Sequence, residues 1–344
     1  MQIEQWQFDN WEGALEHYFR EGLTDGLPVV PPTPERVQAL LDYCGLAPED
    51  ILGTEGIRHK RFPAGKVAVS AVMAGCLPEH FPVVVAAVSA VCDRAYNFHA
   101  SSTSTNGIAN LVLVSGPYAS RIGMNHGVNA FGNGTRANAA IGRSINLLKA
   151  NFYGSVSQEM DKSTYGHSGK YSFCFAEDSE TSPWPSLAES KGFRPGASAV
   201  TMVAANAPLQ LETHGDRDPE GFLTAAAHAM LGFGPRLSEV VLTISQELMA
   251  YVAASGWSRS QVAEFLHEKT LRPAGEWDEW RRMDKLPPDA DREELMGCVA
   301  GPERITVVPA GGDAGEFMAL ITSWGSSRSV TREITVPTGG GSQV

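Results

Sequence analysis

The chain has 344 residues, of which 43% are hydrophobic and 19% charged, and 39 acidic against 27 basic side chains give it a formal net charge of -12. This composition is typical of a folded globular protein and excludes disorder for most of the chain. The acidity, without a run of Lys or Arg, argues against nucleic acid or an anionic membrane as a partner. No run of about 18 apolar residues and no basic, apolar leader occur, so a cytoplasmic protein is expected.

Cysteine usage and missing motifs narrow the expectation further. The five cysteines are odd in number, widely spaced and include no C-x-x-C, which favours free thiols in a reducing compartment. The motifs G-x-G-x-x-G, H-E-x-x-H and G-x-S-x-G are absent, and GHSGKYS has Tyr171 where a phosphate loop needs Ser or Thr. No organic cofactor is therefore expected.

The first third of the chain predicts helices. Apolar residues at helical spacing predict one helix within 9–21 and another over roughly 34–44, with Thr33 as N-cap and Pro34 at the first helical position. Two long Ala- and Val-rich stretches follow, KVAVSAVMAGC and EHFPVVVAAVSAVCD. They are shorter than a membrane span and are expected to be buried helix or strand.

The middle of the chain predicts a buried strand, a polar loop and a helix. The apolar run 111–114 ends at Ser-Gly-Pro, a loop rich in glycine and asparagine follows, and a helix begins near Thr135. A second polar, glycine-containing segment spans 159–182, and FRPGASA indicates a boundary near residue 195.

The remainder alternates between strand-like and helix-like segments. SAVTMVAAN, EVVLTIS and RITVVPAGG predict strands; PEGFLTAAAHAMLGF, 246–255, 258–268 and EFMALITSW predict helices. The polar, proline-broken LRPAGEWDEWRRMDKLPPDADREEL is expected to be an excursion over the surface.

Together these segments predict an α/β protein with largely parallel or mixed sheets and flanking helices. Two α/β domains or lobes are expected, residues 1–195 with the glycine- and asparagine-rich loop and residues 196–336, followed by a disordered tail at 337–344.

The glycine- and asparagine-rich loop is the first candidate site. Glycine lets the backbone approach a ligand, and the N-terminus of the following helix offers free N–H donors, which suits an anion. Two arginines would add fork-shaped bonds to a carboxylate or phosphate. The alternative is a tight turn with both arginines in surface pairs. The candidate substrate-binding residues are Asn125, His126, Asn129, Asn133, Gly134, Arg136 and Arg143.

The second candidate site gathers chemically versatile side chains within thirteen residues. A Cys174 thiolate beside His167 or Lys170 would be a nucleophile, while His167 or Glu177 would move protons. Against this, a free cysteine between two phenylalanines is often an inert core residue. The candidate catalytic residues are Tyr165, His167, Lys170, Cys174 and Glu177.

Metal binding is a third hypothesis, although no pair of side chains has diagnostic ligand spacing. A divalent metal would draw on His99, His126, His167, Cys76, Cys174 and Glu177. His214 and the Gly311-Gly312-Asp313 turn are further possible ligand positions, because open α/β sheets bind ligands at strand ends, although a plain loop role is favoured for each.

Five segments also carry a resemblance: TDGLPVVPPT, KVAVSAVMAGC, NAFGNGTRANAAIGRS, GHSGKYSFCFAE with its following SPW, and GWSRSQVAEFL. Over most of its length the chain resembles an uncharacterised bacterial family associated with UGSC-type (seleno)proteins, although the U-G-S-C signature itself is absent. The resemblance implies a bacterial protein beside a redox-active partner. It also implies a shared site containing Asn129, Arg136, His167, Lys170, Cys174 and Glu177. At His126 the sequence departs from the family pattern, so a role for that residue would be particular to this protein.

Three functions follow as hypotheses. The first is an enzyme of lyase or hydrolase type acting on a small anionic organic molecule, with the loop and Arg136 holding the anion. The second is a subunit of a heteromeric redox complex that partners a UGSC-type protein. The third is a metal-dependent enzyme with His, Cys and Glu ligands. A homo-oligomer or hetero-oligomer is expected in each case.

Overall fold

A computed structural model describes residues 6–213, 215–235 and 237–336. Its α-helices are α1 (Trp11–Arg20), α2 (Pro34–Cys44), α3 (Ala64–Ala74), α4 (Phe81–Val91), α5 (Phe98–Thr103), α6 (Tyr118–Arg121), α7 (Arg136–Leu148), α8 (Leu187–Ser190), α9 (Pro219–Leu231), α10 (Gln246–Ala254), α11 (Arg259–Lys269) and α12 (Ala274–Glu279). Its strands are β1 (Ile51–Thr54), β2 (Arg61–Pro63), β3 (Ala109–Ser115), β4 (Cys174–Ala176), β5 (Ala199–Ala205), β6 (Leu209–Glu212), β7 (Val240–Ile244), β8 (Arg272–Pro273), β9 (Leu295–Met296), β10 (Ile305–Pro309), β11 (Phe317–Thr322) and β12 (Val330–Glu333).

Two four-stranded sheets form the framework. The first sheet has the strand order β12-β5-β3-β4 and the second has β6-β11-β7-β10. Only β3 with β4 and β7 with β10 are parallel; the other neighbours within these sheets are antiparallel. The α/β class is confirmed, and the sheets are of the mixed kind.

The two sheets pack face to face, with helices on both outer sides. One buried cluster joins Leu111 and Phe175 of the first sheet to Val241, Val308 and Ile321 of the second. The opposite face of the first sheet packs on α3, α4 and α7, and that of the second sheet packs on α9, α10 and α11. Because side chains alternate along a strand, each sheet buries both faces in this four-layer arrangement.

The two sheets are built by the same sequence of elements. A strand, helices, a parallel strand and an antiparallel strand occur as β3, α6–α7, β4, β5 and again as β7, α10–α11, β10, β11. The registers also coincide. In the first sheet Val112 faces both Cys174 and Met202, and in the second Leu242 faces both Val307 and Leu320. The fold therefore contains an internal structural repeat.

The repeat exchanges its edge strands. The strand β6 directly follows β5 in the chain but joins the second sheet, while β12 directly follows β11 but joins the first sheet. The boundary predicted near residue 195 falls between β4 and β5, which belong to the same sheet. The division into two domains stays a prediction, and it would separate strands that are hydrogen-bonded within one sheet.

Most predicted elements are confirmed. The helix α2 starts at Pro34 after the N-cap Thr33 and ends at Gly45, whose φ of 64° gives the left-handed cap that glycine favours. Both Ala- and Val-rich stretches are helices, α3 and α4, and the helix predicted near Thr135 is α7.

One prediction is wrong and others missed elements. EFMALITSW was expected to be a helix but forms the strand β11, central in the second sheet. A short run that is apolar on both faces does not distinguish a buried strand from a helix, and here both faces are covered. The supposed surface excursion contains β8, α12 and β9, and it buries Trp277, whose Nε1 donates to the Met296 carbonyl. The predicted tail at 337–344 lies outside the described residues.

Candidate functional site

A cleft of about 460 Å³ lies between the inner face of the second sheet and the loop 128–132. Its floor is made by the inward side chains of β6, β7 and β11, and its rim by residues 310–314, which follow β10. This position, beyond the carboxyl ends of two parallel strands, is the usual ligand site of α/β sheets, and the volume suits a small molecule.

The loop above the cleft is held by asparagine side chains. Asn125 accepts from the Gly127 amide and donates to the Val128 carbonyl. The side chain of Asn138, on α7, accepts a hydrogen bond from the Asn125 amide at 2.9 Å and donates one to the Asn125 carbonyl at 2.9 Å. The Gly311 amide then donates to the His126 carbonyl at 2.8 Å, which ties the loop to the end of β10. The asparagines predicted to bind substrate thus shape the loop.

The tip of the loop depends on a left-handed turn. Asn129 has φ 61°, and its side-chain amide donates to the Asn133 carbonyl at 3.0 Å. A Cβ at Gly132 would collide with the Asn129 side chain, and Gly134 has φ 110°, so both positions require glycine. Asn129 and Gly132 line the cleft.

The two segments predicted as sites meet through aromatic rings. Phe131 stands 4.7 Å from Phe175 and 6.3 Å from Phe173, measured between ring centroids. The Ala176 amide also lies 3.4 Å from the Asn125 carbonyl. The contact therefore brings the segments together but does not bring their polar side chains into one cluster.

His126 precedes the cleft-lining loop 128–132 and has a carboxylate beside its ring. Its Nδ1 lies 3.5 Å from Oδ1 of Asp178, an ion pair only when the imidazole is protonated. Asp178 is 2% exposed and is fixed by the amides of Glu180 and Thr181. Because Nδ1 is buried without a hydrogen bond, the 22% exposure of this side chain falls on the rest of the ring. Sequence reasoning missed Asp178, although its place directly after a strand was a signal.

The floor and rim of the cleft carry a few polar groups. Ser245 is 6% exposed, and its hydroxyl has no hydrogen-bond partner within the described part of the chain. Thr243 donates to the Ala319 carbonyl at 3.3 Å, while Gln210 and Asp313 are exposed. No Lys or Arg lines the cleft among the residues described. The strand-end candidate Gly311-Gly312-Asp313 lies at this rim, whereas His214 lies outside the described residues.

His167 is engaged by both of its ring nitrogens. Its Nδ1 accepts from the Gly169 amide at 3.1 Å, which leaves Nε2 as the protonated nitrogen facing the Ala205 carbonyl at 3.3 Å. Burial lowers its pKa, partly opposed by the bond to Ala205. This geometry holds a neutral imidazole between the polar segment and the end of β5.

Lys170 forms an ion cluster with residues that the sequence reading did not single out. Its Nζ lies 2.6 Å from Asp161 Oδ2, and Lys149 Nζ lies 3.0 Å from the same oxygen. Burial alone would raise the pKa of Asp161, but the two ammonium groups and Ser163 hold it well below its usual range. Burial lowers the pKa of Lys149. The neighbouring Tyr165 is 96% exposed.

Cys174 is the first residue of strand β4 and Glu177 directly follows the last one, and both residues are buried. Burial and the nearby Cys76 thiol raise the pKa of Cys174 well above its ordinary value. Glu177 accepts from Arg259 at 2.7 Å and from the Leu187 amide at 2.7 Å. Burial raises its pKa, and Arg259 opposes that shift. Both residues are occupied by packing or pairing.

The two arginines of the anion-binding hypothesis point away from the cleft. Arg143 forms a bidentate pair with Asp25, at 2.8 and 2.7 Å, and also donates to the Pro28 carbonyl at 2.9 Å. It therefore anchors the segment 25–28 to α7. Arg136 is exposed, and its Nε donates to the Gly75 carbonyl at 3.0 Å.

The metal and redox hypotheses concern the His, Cys, Asp and Glu side chains. Within residues 6–213, 215–235 and 237–336, no three His, Cys, Asp or Glu side chains converge as a metal site would require. The five cysteines are free thiols, and Cys76, Cys174 and Cys298 are buried. No single helix in these ranges is long and apolar enough to cross a membrane, although the bent pair Ala64–Ala74 and Pro78–Val91 passes that test jointly.

No protein-family model matches the chain, and no curated protein sequence is significantly similar to it. The class that the fold defines is an α/β protein of two mixed sheets in four layers, with a cleft between the second sheet and the loop 128–132.

Proposed function

We propose that this protein is an enzyme of hydrolase or lyase type that binds a small anionic organic molecule in the cleft between the second sheet and the loop 128–132. His126, oriented by Asp178, moves the proton. The observation that carries the proposal is the coincidence of this pair with the rim of the cleft, through the bond between the Gly311 amide and the His126 carbonyl.

The chemistry of the pair supports a general base. A carboxylate beside Nδ1 favours the tautomer with its proton on that nitrogen, which leaves the Nε2 lone pair to take a proton from water or substrate. Asp178 already accepts two backbone amides, so its carboxylate is held in position beside the imidazole. No histidine lines the cleft among the residues described, and His126 is tied to its rim through the bond from the Gly311 amide.

The anionic group of the substrate is assigned to the helical end of the cleft. Ser245 is the N-cap residue of α10, and helix N-termini favour negative charge. This assignment replaces Arg136 and the start of α7 as the anion site, because Arg136 does not line the cleft.

The setting predicted from the sequence belongs to the same proposal. A bacterial cytoplasmic enzyme is supported by the free thiols and by the resemblance to the UGSC-associated family. Self-association, or association with a second subunit, remains part of the proposal.

The test uses a pool of small carboxylic acids, hydroxy acids, esters and amides, followed by NMR with wild type, His126→Asn and His167→Asn. Wild type is expected to convert at least one compound. His126→Asn should lower kcat by about 10²- to 10⁴-fold with little change in KM. His167→Asn is the matched control and should leave kcat unchanged. Failure of the wild type to convert any compound, or full activity of His126→Asn, would overturn the proposal.

A further inference from the structure

The cleft is lined by apolar side chains and by five polar ones, Asn129, Gln210, Thr243, Ser245 and Asp313, and two of these mark separate points for a ligand's charges. One point is Ser245, at the start of α10, and the other is Asp313, on the exposed rim. Phe131 forms part of the roof, and Phe317 and Met318 belong to the floor strand β11. Such a lining selects a ligand by where its charges lie.

The N-cap residue of α10 forms no side-chain cap bond, which is also true of Thr33 before α2 and Thr135 before α7, but its hydroxyl is buried. Ser245 has the N-cap conformation, with φ -61° and ψ 159°, yet its hydroxyl forms no cap bond. Ser258 has nearly the same backbone angles before α11, and its hydroxyl accepts from the Gln261 amide at 3.2 Å. The nine-residue helix α10 therefore presents its positive end beside a free hydroxyl.

The unpartnered hydroxyl is the second, independent sign of a ligand. Ser245 lines the cleft and is 6% exposed, and its Oγ has no partner in the described part of the chain. A buried hydroxyl without a hydrogen bond destabilises the fold, and a bound acceptor removes that cost. A carboxylate is the acceptor that also benefits from the helix end.

Asp313 supplies the opposite charge. It is exposed, forms no ion pair among the described residues, and is the one charged side chain lining the cleft. It follows Gly311 and Gly312, and the Gly312 carbonyl accepts from the Gln246 amide at 3.0 Å, so the rim is tied to the first residue of α10. An ammonium group bound at Asp313 would therefore lie near a carboxylate bound at Ser245.

We infer that the cleft binds an α-amino acid with an apolar side chain. Its carboxylate meets Ser245 and the start of α10, its ammonium group meets Asp313, and its side chain packs against Phe131 and Phe317. The inference rests on the proposed function, because it specifies the substrate class of the same cleft.

Calorimetric titration with L-phenylalanine, L-leucine and L-methionine tests the inference, with N-acetyl-L-phenylalanine and 2-phenylethylamine as analogues that each lack one charge. At least one amino acid is expected to bind, and for L-phenylalanine each analogue should bind about 10-fold or more weakly. Asp313→Asn should weaken L-phenylalanine by about 10-fold and leave N-acetyl-L-phenylalanine unchanged. Ser245→Ala should weaken both. Asp289→Asn, an exposed acid outside the cleft, is the control and should change neither.

The inference is overturned if no amino acid binds with a dissociation constant below about 10 mM. It is also overturned if 2-phenylethylamine binds as tightly as L-phenylalanine, or if Asp313→Asn leaves the affinity for L-phenylalanine unchanged. Its failure is separable from that of the proposed function. Binding without any His126-dependent turnover would remove the catalytic proposal alone. His126-dependent turnover of another compound, without amino-acid binding, would remove this inference alone.

Discussion

The two polar segments that the sequence singles out, 125–136 and 165–177, differ in what their polar atoms do. In the second segment His167, Lys170 and Glu177 are each held by named partners, and Cys174 is buried. In the first, the asparagines fold the loop so that its tip lines a cleft, and the His126 carbonyl is bonded to the rim of that cleft. A concentration of reactive residue types is therefore not itself a site, since pairing and burial occupy their polar atoms.

The internal repeat sharpens the same comparison. Ser115 and Ser245 follow equivalent registers at the ends of β3 and β7. Beyond β7 the space is an open cleft, whereas beyond β3 and β4 Arg259, the first residue of α11, is inserted between Glu177 and the ring of Trp184. One strand end is therefore filled by a buried ion pair, and the equivalent one is available to a ligand.

The largest expected effect comes from opening the filled end. Arg259→Met would leave the carboxylate of Glu177, with a side-chain exposure of 0%, without its partner. Breaking a buried pair in this way costs about 3–5 kcal/mol of unfolding free energy. Urea denaturation measures it, with Arg292→Met as control, because Arg292 is 48% exposed beside Asp278 and its loss should destabilise the fold far less. Equal losses in the two variants would contradict a structural role for the Glu177 pair.

A smaller effect, dependent on pH, is expected at the ion cluster around Lys170. Asp161→Asn removes the charge that two lysines share and should cost about 2 kcal/mol near neutral pH. Because the folded-state pKa of Asp161 lies below its usual range, its contribution is complete above the ordinary aspartate pKa of about 4 and is lost as pH falls towards the folded-state pKa.

The difference in unfolding free energy between wild type and Asp161→Asn should accordingly shrink by about 1 kcal/mol from pH 6 to pH 3. Denaturant titrations at these two pH values measure it. A difference that stays constant with pH would mean that Asp161 is not held ionised by Lys149 and Lys170.

The smallest effect is expected at His167. Asparagine at this position keeps a side-chain acceptor for the Gly169 amide but loses the bond to the Ala205 carbonyl, so His167→Asn should lower the unfolding free energy by about 1 kcal/mol. The thermal midpoint, measured with the kcat of the folded variant, checks this. A large drop in kcat with unchanged stability would restore His167 as the proton carrier and reverse the comparison between the segments.

Local physical chemistry made much of the secondary structure predictable. The Thr33-Pro34 start and the Gly45 end of α2 are written in adjacent residues, because caps depend on backbone angles and short-range hydrogen bonds. The buried strands β3, β5, β7 and β10 follow from short apolar runs bounded by polar or glycine-containing turns. The loop around Asn129 and the turn at Gly311 were likewise visible as candidate ligand positions.

The strand β11, the pairing of Glu177 and the position of the cleft depend on tertiary packing, because the residues in contact there are distant in sequence. β11 is a strand since β6 and β7 flank it, and no periodicity within the segment records those neighbours. Glu177 is neutralised by Arg259, 82 residues away, and the cleft joins loop 128–132 to residues 310–314. The sequence specifies which residues have side chains capable of acid–base, nucleophilic or ligand-binding chemistry. Packing determined which of their polar atoms are paired and which ones face a cleft.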